Sequence, residues 1–168
     1  MAVDIDRDAD NPVSTDIKNT CLRLLMRREH SQKELLTKLS AKGFDKNDIL
    51  PVISELAAQD WQSDTRYAES YTRHRLKKGY GALAIAHELK QNGVTDFAID
   101  RVLVDIADDW LSLIEQVYQK KYGAHKPLSL TERAKRTRFL LQRGFDNSLI
   151  QELFGRAKKW ITGIQTLV

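Results

Sequence analysis

A chain of 168 residues, 42% apolar and 30% charged with a formal net charge of +4, is long enough for one ordinary domain and has the balance of a water-soluble protein. Its lone cysteine, Cys21, excludes an intrachain disulfide and fits a reducing compartment. No apolar run reaches the ~18–20 residues of a membrane span, and the first residues are acidic rather than basic-then-apolar, so neither a membrane protein nor a secretory leader is expected and the location reads as cytoplasmic.

Residues 1–15 are expected to form a disordered tail, being poor in apolar residues and containing Pro12. Asp4, Asp6 and Asp8 imitate the start of a calcium loop. The sixth position, however, is Ala9 rather than glycine and the twelfth is Thr15 rather than glutamate, so no calcium site is read.

The first unit, 16–63, opens with a helix carrying Ile17, Cys21, Leu24 and Leu25 at three-and-four spacing. Ser31-Gln32-Lys33-Glu34 is a capping box that starts a second helix at Gln32, with Leu35, Leu36 and Leu39 as its buried face. Gly43 stops it, and Asp45 caps a third helix with Ile49, Val52, Ile53 and Leu56. In the second unit, 64–110, Asp64 is expected to cap a helix containing Tyr67, Ala68 and Tyr71, which the Lys78-Gly79-Tyr80-Gly81 turn ends. A helix from about Ala82 to Gly93 carries Leu83, Ile85, Ala86 and Leu89, and Thr95 caps one with Ile99, Val102, Leu103 and Ile106. Trp61 and Trp110 close the first two units and are expected to pack between neighbours. The third unit, 111–168, has a helix from near Asp109 to Tyr122, a second capping box at Ser129-Leu130-Thr131-Glu132, and a last helix capped by Asp146.

The three units share one frame. Leu39-x-x-x-Gly43-Phe44, Leu89-x-x-x-Gly93-Val94 and Leu140-x-x-x-Gly144-Phe145 recur every 50 or 51 residues, each with an isoleucine six residues after the glycine. No strand pattern competes, so the fold class is all-α, three tandem three-helix repeats. Such an array offers a long surface more readily than a deep pocket.

Catalytic motifs fail one by one. His87-Glu88 lacks the second histidine of a zinc-protease helix, and Cys21 has no second thiol and lies on an apolar face. Gly79-x-Gly81 follows a helix and lacks the lysine of a phosphate loop, which leaves a tight helix–helix turn. Asp108 and Asp109 are adjacent on a helix and point apart. Neither an enzyme nor a cofactor or metal is expected.

Charge is concentrated late in the chain: residues 111–168 hold 11 Lys+Arg against 4 Asp+Glu, whereas the rest is near neutral. In the helix from Asp64, Arg66, Ser70, Arg73 and Lys77 share one face, and His74, Arg75 and Lys78 extend its positive end. A cationic helix C-terminus follows from the macrodipole, but Arg66 stands in the first turn, where positive charge is disfavoured. In the third unit Arg133, Arg136 and Arg143 fall on one stripe with Leu140, and Lys135 and Arg138 on an adjoining one, with Lys158 and Lys159 extending the field. These faces are read as binding phosphates or partner carboxylates, without DNA sequence specificity.

Several segments together resemble the RecX family of bacterial RecA regulators: Arg28-Glu29-His30-Ser31-x-x-Glu34-Leu35, Asp64-x-Arg66-Tyr67-Ala68, Lys78-Gly79-Tyr80-Gly81 leading to Glu88-Leu89-x-x-x-Gly93, Lys121-Tyr122-Gly123, and Arg138-Phe139-Leu140-Leu141-x-Arg143-Gly144-Phe145. The resemblance covers roughly 17–158 and implies an elongated, curved array that binds along the groove of the RecA–single-stranded DNA filament, bridging neighbouring subunits. It implies modulation, usually inhibition, of recombinase, ATPase and coprotease activities in DNA repair and the SOS response; a monomer with weak direct DNA binding is expected beside it. Many relatives look like Pro-x-Arg-Ile after the Gly-Tyr-Gly turn, where this chain has Ala82-Leu83-Ala84-Ile85, so one basic contact is missing at Ala84. A stand-alone nucleic-acid binder and a plain helical adaptor are the competing readings.

Overall fold

The computed structural model describes residues 12–106, 109–124 and 126–165, and among them it contains nine helices and no strand. They run α1 Pro12–Leu25, α2 Gln32–Ser40, α3 Lys46–Ala58, α4 Asp64–Lys77, α5 Ala82–Gln91, α6 Asp96–Ile106, α7 Trp110–Tyr122, α8 Leu130–Gln142 and α9 Asn147–Gln165. Helix pairing is extensive only within triplets: α1 and α2 lie on α3, α4 and α5 on α6, and α7 and α8 on α9. Each triplet encloses its own core. Ile17, Leu35, Leu39, Ile49 and Leu56 fill the first, Tyr67, Ile85, Leu89 and Ile99 the second, and Ile114, Tyr118, Leu140, Phe145 and Ile150 the third. Three small cores in a row, rather than one, make a chain of stacked units.

The repeated leucine–glycine frame has a backbone cause. Gly43, Gly93 and Gly144 adopt φ of 95°, 84° and 83°. The N–H of the next residue then reaches back to the leucine carbonyl: Phe44 to Leu39 at 3.3 Å, Val94 to Leu89 at 3.1 Å and Phe145 to Leu140 at 3.2 Å. This is a six-to-one Schellman closure, which satisfies a carbonyl the ending helix would leave orphaned and folds the apolar residue after glycine back onto the leucine. The turn after α3 closes the same way with Asp60 at φ 60° in glycine's place, the Trp61 N–H bonding Leu56 O at 2.9 Å.

Three expectations need correction. Helix α1 begins at Pro12, so 12–15 are helical; proline suits a first helical position, where its missing N–H has no partner to lose. Residues 1–11, with the rejected aspartate series, lie outside the described residues. Ser63, not Asp64, caps α4, accepting from the Arg66 N–H at 3.3 Å. The Asp64 carboxylate instead accepts from the Gln32 N–H at 3.0 Å and from Gln62 Nε2 at 2.8 Å, tying unit two to unit one. Trp61 is 60% exposed rather than packed between units, because Gln62 takes the buried place and donates to His30 O at 3.1 Å. Trp110 does pack between units, touching both the second and third cores.

Candidate partner-binding surface

Four of the ten basic residues expected to bind are structural braces. Arg66 bonds Glu29 Oε1 at 2.9 Å through Nε and Asp60 Oδ1 at 2.7 Å through an Nη. Those hydrogen bonds, from Glu29 first and Asp60 second, hold its guanidinium above the ordinary range. A cation in the first turn of α4 is thus explained by two carboxylates of unit one. Arg75 pairs with Glu88, which also accepts from the Tyr71 hydroxyl at 3.0 Å, and its guanidinium lies 3.4 Å over the Tyr80 ring. Arg136 is 5% exposed, donates to the Tyr118 hydroxyl at 2.6 Å and stacks 4.5 Å over Tyr122. Arg143 donates to Lys78 O at 2.8 Å and lies between the Tyr80 and Phe139 rings. The stripe through Arg136, Leu140 and Arg143 is therefore the inward side of α8. An arginine stem packs like an apolar chain while its head finds a hydroxyl or carbonyl, so the stripe contains both kinds of residue.

The other six remain on the surface. Among the described residues Arg73, Lys77, Lys78 and Arg138 have no carboxylate partner, and Lys135 is 3.9 Å from Glu132. Arg133 is exposed while donating to Gln151 at 2.7 Å. The side chains of Lys158 and Lys159 lie outside the described residues.

The Arg28–Leu35 segment is likewise a clamp. Glu34 accepts from Arg28 at 2.9 and 3.2 Å and bonds His30 Nδ1 at 2.9 Å, while Ser31 Oγ caps α2. Burial lowers the His30 pKa below its usual value, and burial lifts the Cys21 thiol to about 11, which makes it a poor nucleophile. Among the described residues no three His, Cys, Asp or Glu side chains converge as metal ligands, and no helix is long and apolar enough to cross a membrane.

At the junction of units two and three the α4–α5 turn docks on the α8–α9 turn, backbone on backbone. The Gly81 N–H bonds Arg143 O at 2.8 Å and the Leu83 N–H bonds Gly144 O at 3.0 Å. A Cβ on Gly144 would overlap the Cβ and backbone of Ala84, so this glycine is required by close approach as well as by its φ. Ala84 is part of this tight seam. Beside the seam opens a groove of about 680 Å³. Leu76, Leu113, Val117 and Gly79 make its apolar floor, and Lys77, Lys78, Lys120, Lys121 and Arg143 line it with positive charge. No carboxylate is among its described lining residues. Lys120 and Lys121, which line this groove, are not among the ten basic candidates from the sequence, where α7 stands out for its apolar face. The signal existed: α4 and α7 both finish in a lysine pair shortly before a glycine.

Three family models match successive stretches of the chain. Family models described as the first, second and third three-helix domains of RecX match residues 18–56, 63–103 and 107–154. A regulatory protein RecX of Legionella pneumophila (strain Corby) is 40% identical over 83% of this chain and 93% of its own length. One of Halorhodospira halophila is 39% identical over 79% and 82%. The crystal structure of RecX from Lactobacillus salivarius superposes with a TM-score of 0.70 at 22% identity, covering 87% of this chain and 97% of that one, a likeness of fold.

Proposed function

This chain belongs to the RecX family, a family of regulatory proteins, and from that premise we propose that it binds in the groove of the RecA–single-stranded DNA filament and inhibits the filament's recombinase, ATPase and coprotease activities. The observation that carries this reading is the set of unpaired cations on units two and three: Arg73, Lys77, Lys78, Lys120, Lys121 and Arg138, exposed and without carboxylate partners among the described residues. Unpaired surface cations retain their full attraction for phosphates and acidic faces, whereas Arg66 and Arg75 have spent theirs within the chain.

Architecture supports the same reading. Three units in a row, joined by hydrogen bonds at Gln32–Asp64, Lys33–Gln91 and Gly81–Arg143, form an extended body whose weak contacts along a polymer add through effective concentration. The protein acts by binding, as a cytoplasmic monomer, with no reaction of its own. The test is RecA ATPase on single-stranded DNA with substoichiometric protein: a fall in rate is expected, and an unchanged rate and filament length refute the proposal. Tight binding to duplex DNA without RecA would favour a stand-alone nucleic-acid binder instead.

A further inference from the structure

The groove between units two and three has the chemistry of a protein-docking site rather than a nucleic-acid site. Single-stranded nucleic acid is held by free aromatic faces on which bases stack, together with cations along the backbone. Here the aromatic faces are taken. The Arg75 guanidinium covers Tyr80 at 3.4 Å, and Lys121 covers Phe139 at 4.4 Å with Arg143 at 5.3 Å. What the groove offers instead is aliphatic. Leu76, Leu113 and Val117 are only partly covered and form a floor beside Gly79, which has no side chain to fill the space. A Cβ there would lie 2.7 Å from Val117 Cγ2 and push into the floor.

The rim is made of lysines, compact point charges that pair with carboxylates without demanding the planar fork an arginine presents. No acid among the described lining residues competes for them. Gln116 adds an amide that can meet a peptide backbone. A volume of about 680 Å³ is the size of an ordinary ligand site and holds a few residues of chain. We infer that this groove receives an acidic segment of a partner protein, with an aliphatic side chain on the Leu76–Leu113–Val117 floor and flanking carboxylates on Lys77, Lys78, Lys120 and Lys121. This rests on the reading of units two and three as the partner-binding face. It assigns the junction groove to protein contact and leaves the outward cations, Arg73 and Arg138, for phosphate.

The test uses the full chain with labelled methyl groups and three probes: a blocked octapeptide of six aspartates and two leucines, an all-aspartate octapeptide, and a twelve-residue oligothymidylate. The leucine-bearing peptide is expected to shift the methyl resonances of Leu76, Leu113 and Val117. The all-aspartate peptide should bind at least about tenfold more weakly, since burying a leucine side chain exceeds the ~1.4 kcal/mol that a factor of ten represents. Lys120→Glu with Lys121→Glu should abolish the shifts, and the oligothymidylate should leave these methyls in place. Equal binding of the two peptides, displacement of the peptide by oligothymidylate at the same methyls, or no methyl shift at millimolar peptide would each overturn the inference. None of those outcomes changes the RecA ATPase result, so the two readings fail separately.

Discussion

The three frame glycines have nearly the same backbone conformation but different surroundings, and alanine substitution separates the two roles. Gly43, at φ 95°, has nothing within 4 Å of an added Cβ. Gly43→Ala should therefore cost only the left-handed strain, about 1–2 kcal/mol. Gly93, at φ 84°, would place a Cβ 3.0 Å from the Lys33 Cβ across the first junction, so a modest shift of α2 adds to the same strain. Gly144, at φ 83°, would drive a Cβ into the backbone and Cβ of Ala84. Relief requires the α4–α5 turn to lift off, losing the Gly81–Arg143 and Leu83–Gly144 hydrogen bonds, each worth about 0.5–1.5 kcal/mol. Gly144→Ala should then cost about 2–5 kcal/mol in total. Urea unfolding followed by circular dichroism measures the series, and the order is Gly144 above Gly93 above Gly43. Losses equal within about 0.5 kcal/mol would refute the close-packed seam and leave conformational strain as the whole effect.

Arg136→Ala should cost about 3 kcal/mol, because it removes a buried 2.6 Å hydrogen bond to the Tyr118 hydroxyl together with a packed stem, whereas Arg138→Ala on the outward side should stay within about 0.5 kcal/mol. Comparable melting temperatures for the two variants would contradict the inward placement of that stripe. Arg66→Ala should lower stability by about 1 kcal/mol, discounted for its partial exposure, and should increase proteolysis between units one and two. An unchanged cleavage pattern would show that the Glu29 and Asp60 contacts do not brace the junction. His30 has a folded-state pKa below its unfolded value of about 6.5, so the unfolded chain binds the proton more readily. Its neutral form contributes stability above pH 6.5 that is lost as the pH falls through the folded value. His30→Gln should flatten the thermal-stability profile between pH 7 and pH 5, and a variant profile parallel to the wild type would rule His30 out as the source.

The frame was legible because its causes are local. The caps Ser31, Ser129, Asp45, Thr95 and Asp146 and the glycine stops all act within one turn of a helix, and the structure has each in place, although Glu34 of the first capping box turns to Arg28 and His30 instead of closing back on Ser31. The Asp64 cap failed for the opposite reason. Asp64 is a good capping residue beside another, Ser63, and a long-range partner, the Gln32 N–H, decided between them.

The candidate binding face was legible only as a list of charges. Periodicity gives the phase of a residue on its own helix but not which side meets the next unit. Arg136 and Arg143 thus count as outward by charge, although Leu140, fully buried between them, marks their side of α8 as inward, with only Arg133 left exposed at its start. Arg66, Arg75 and Arg143 find acceptors 13 to 65 residues away in sequence, which spacing does not reveal. Lys120 and Lys121 escaped because the groove they line exists only where two units meet.

If unpaired lysines at the junction of units two and three carry the proposed action on RecA, reversing their charge should weaken it. The most direct measurement is the protein concentration that half-inhibits RecA ATPase on single-stranded DNA, compared for Lys78→Glu with Lys120→Glu and for Lys38→Glu with Lys42→Glu on the exposed surface of unit one. The junction pair should raise that concentration about tenfold or more, about 1.4 kcal/mol shared between two reversed charges, while the unit-one pair should leave it within about twofold. Equal shifts for the two pairs, or none for either, would contradict the account.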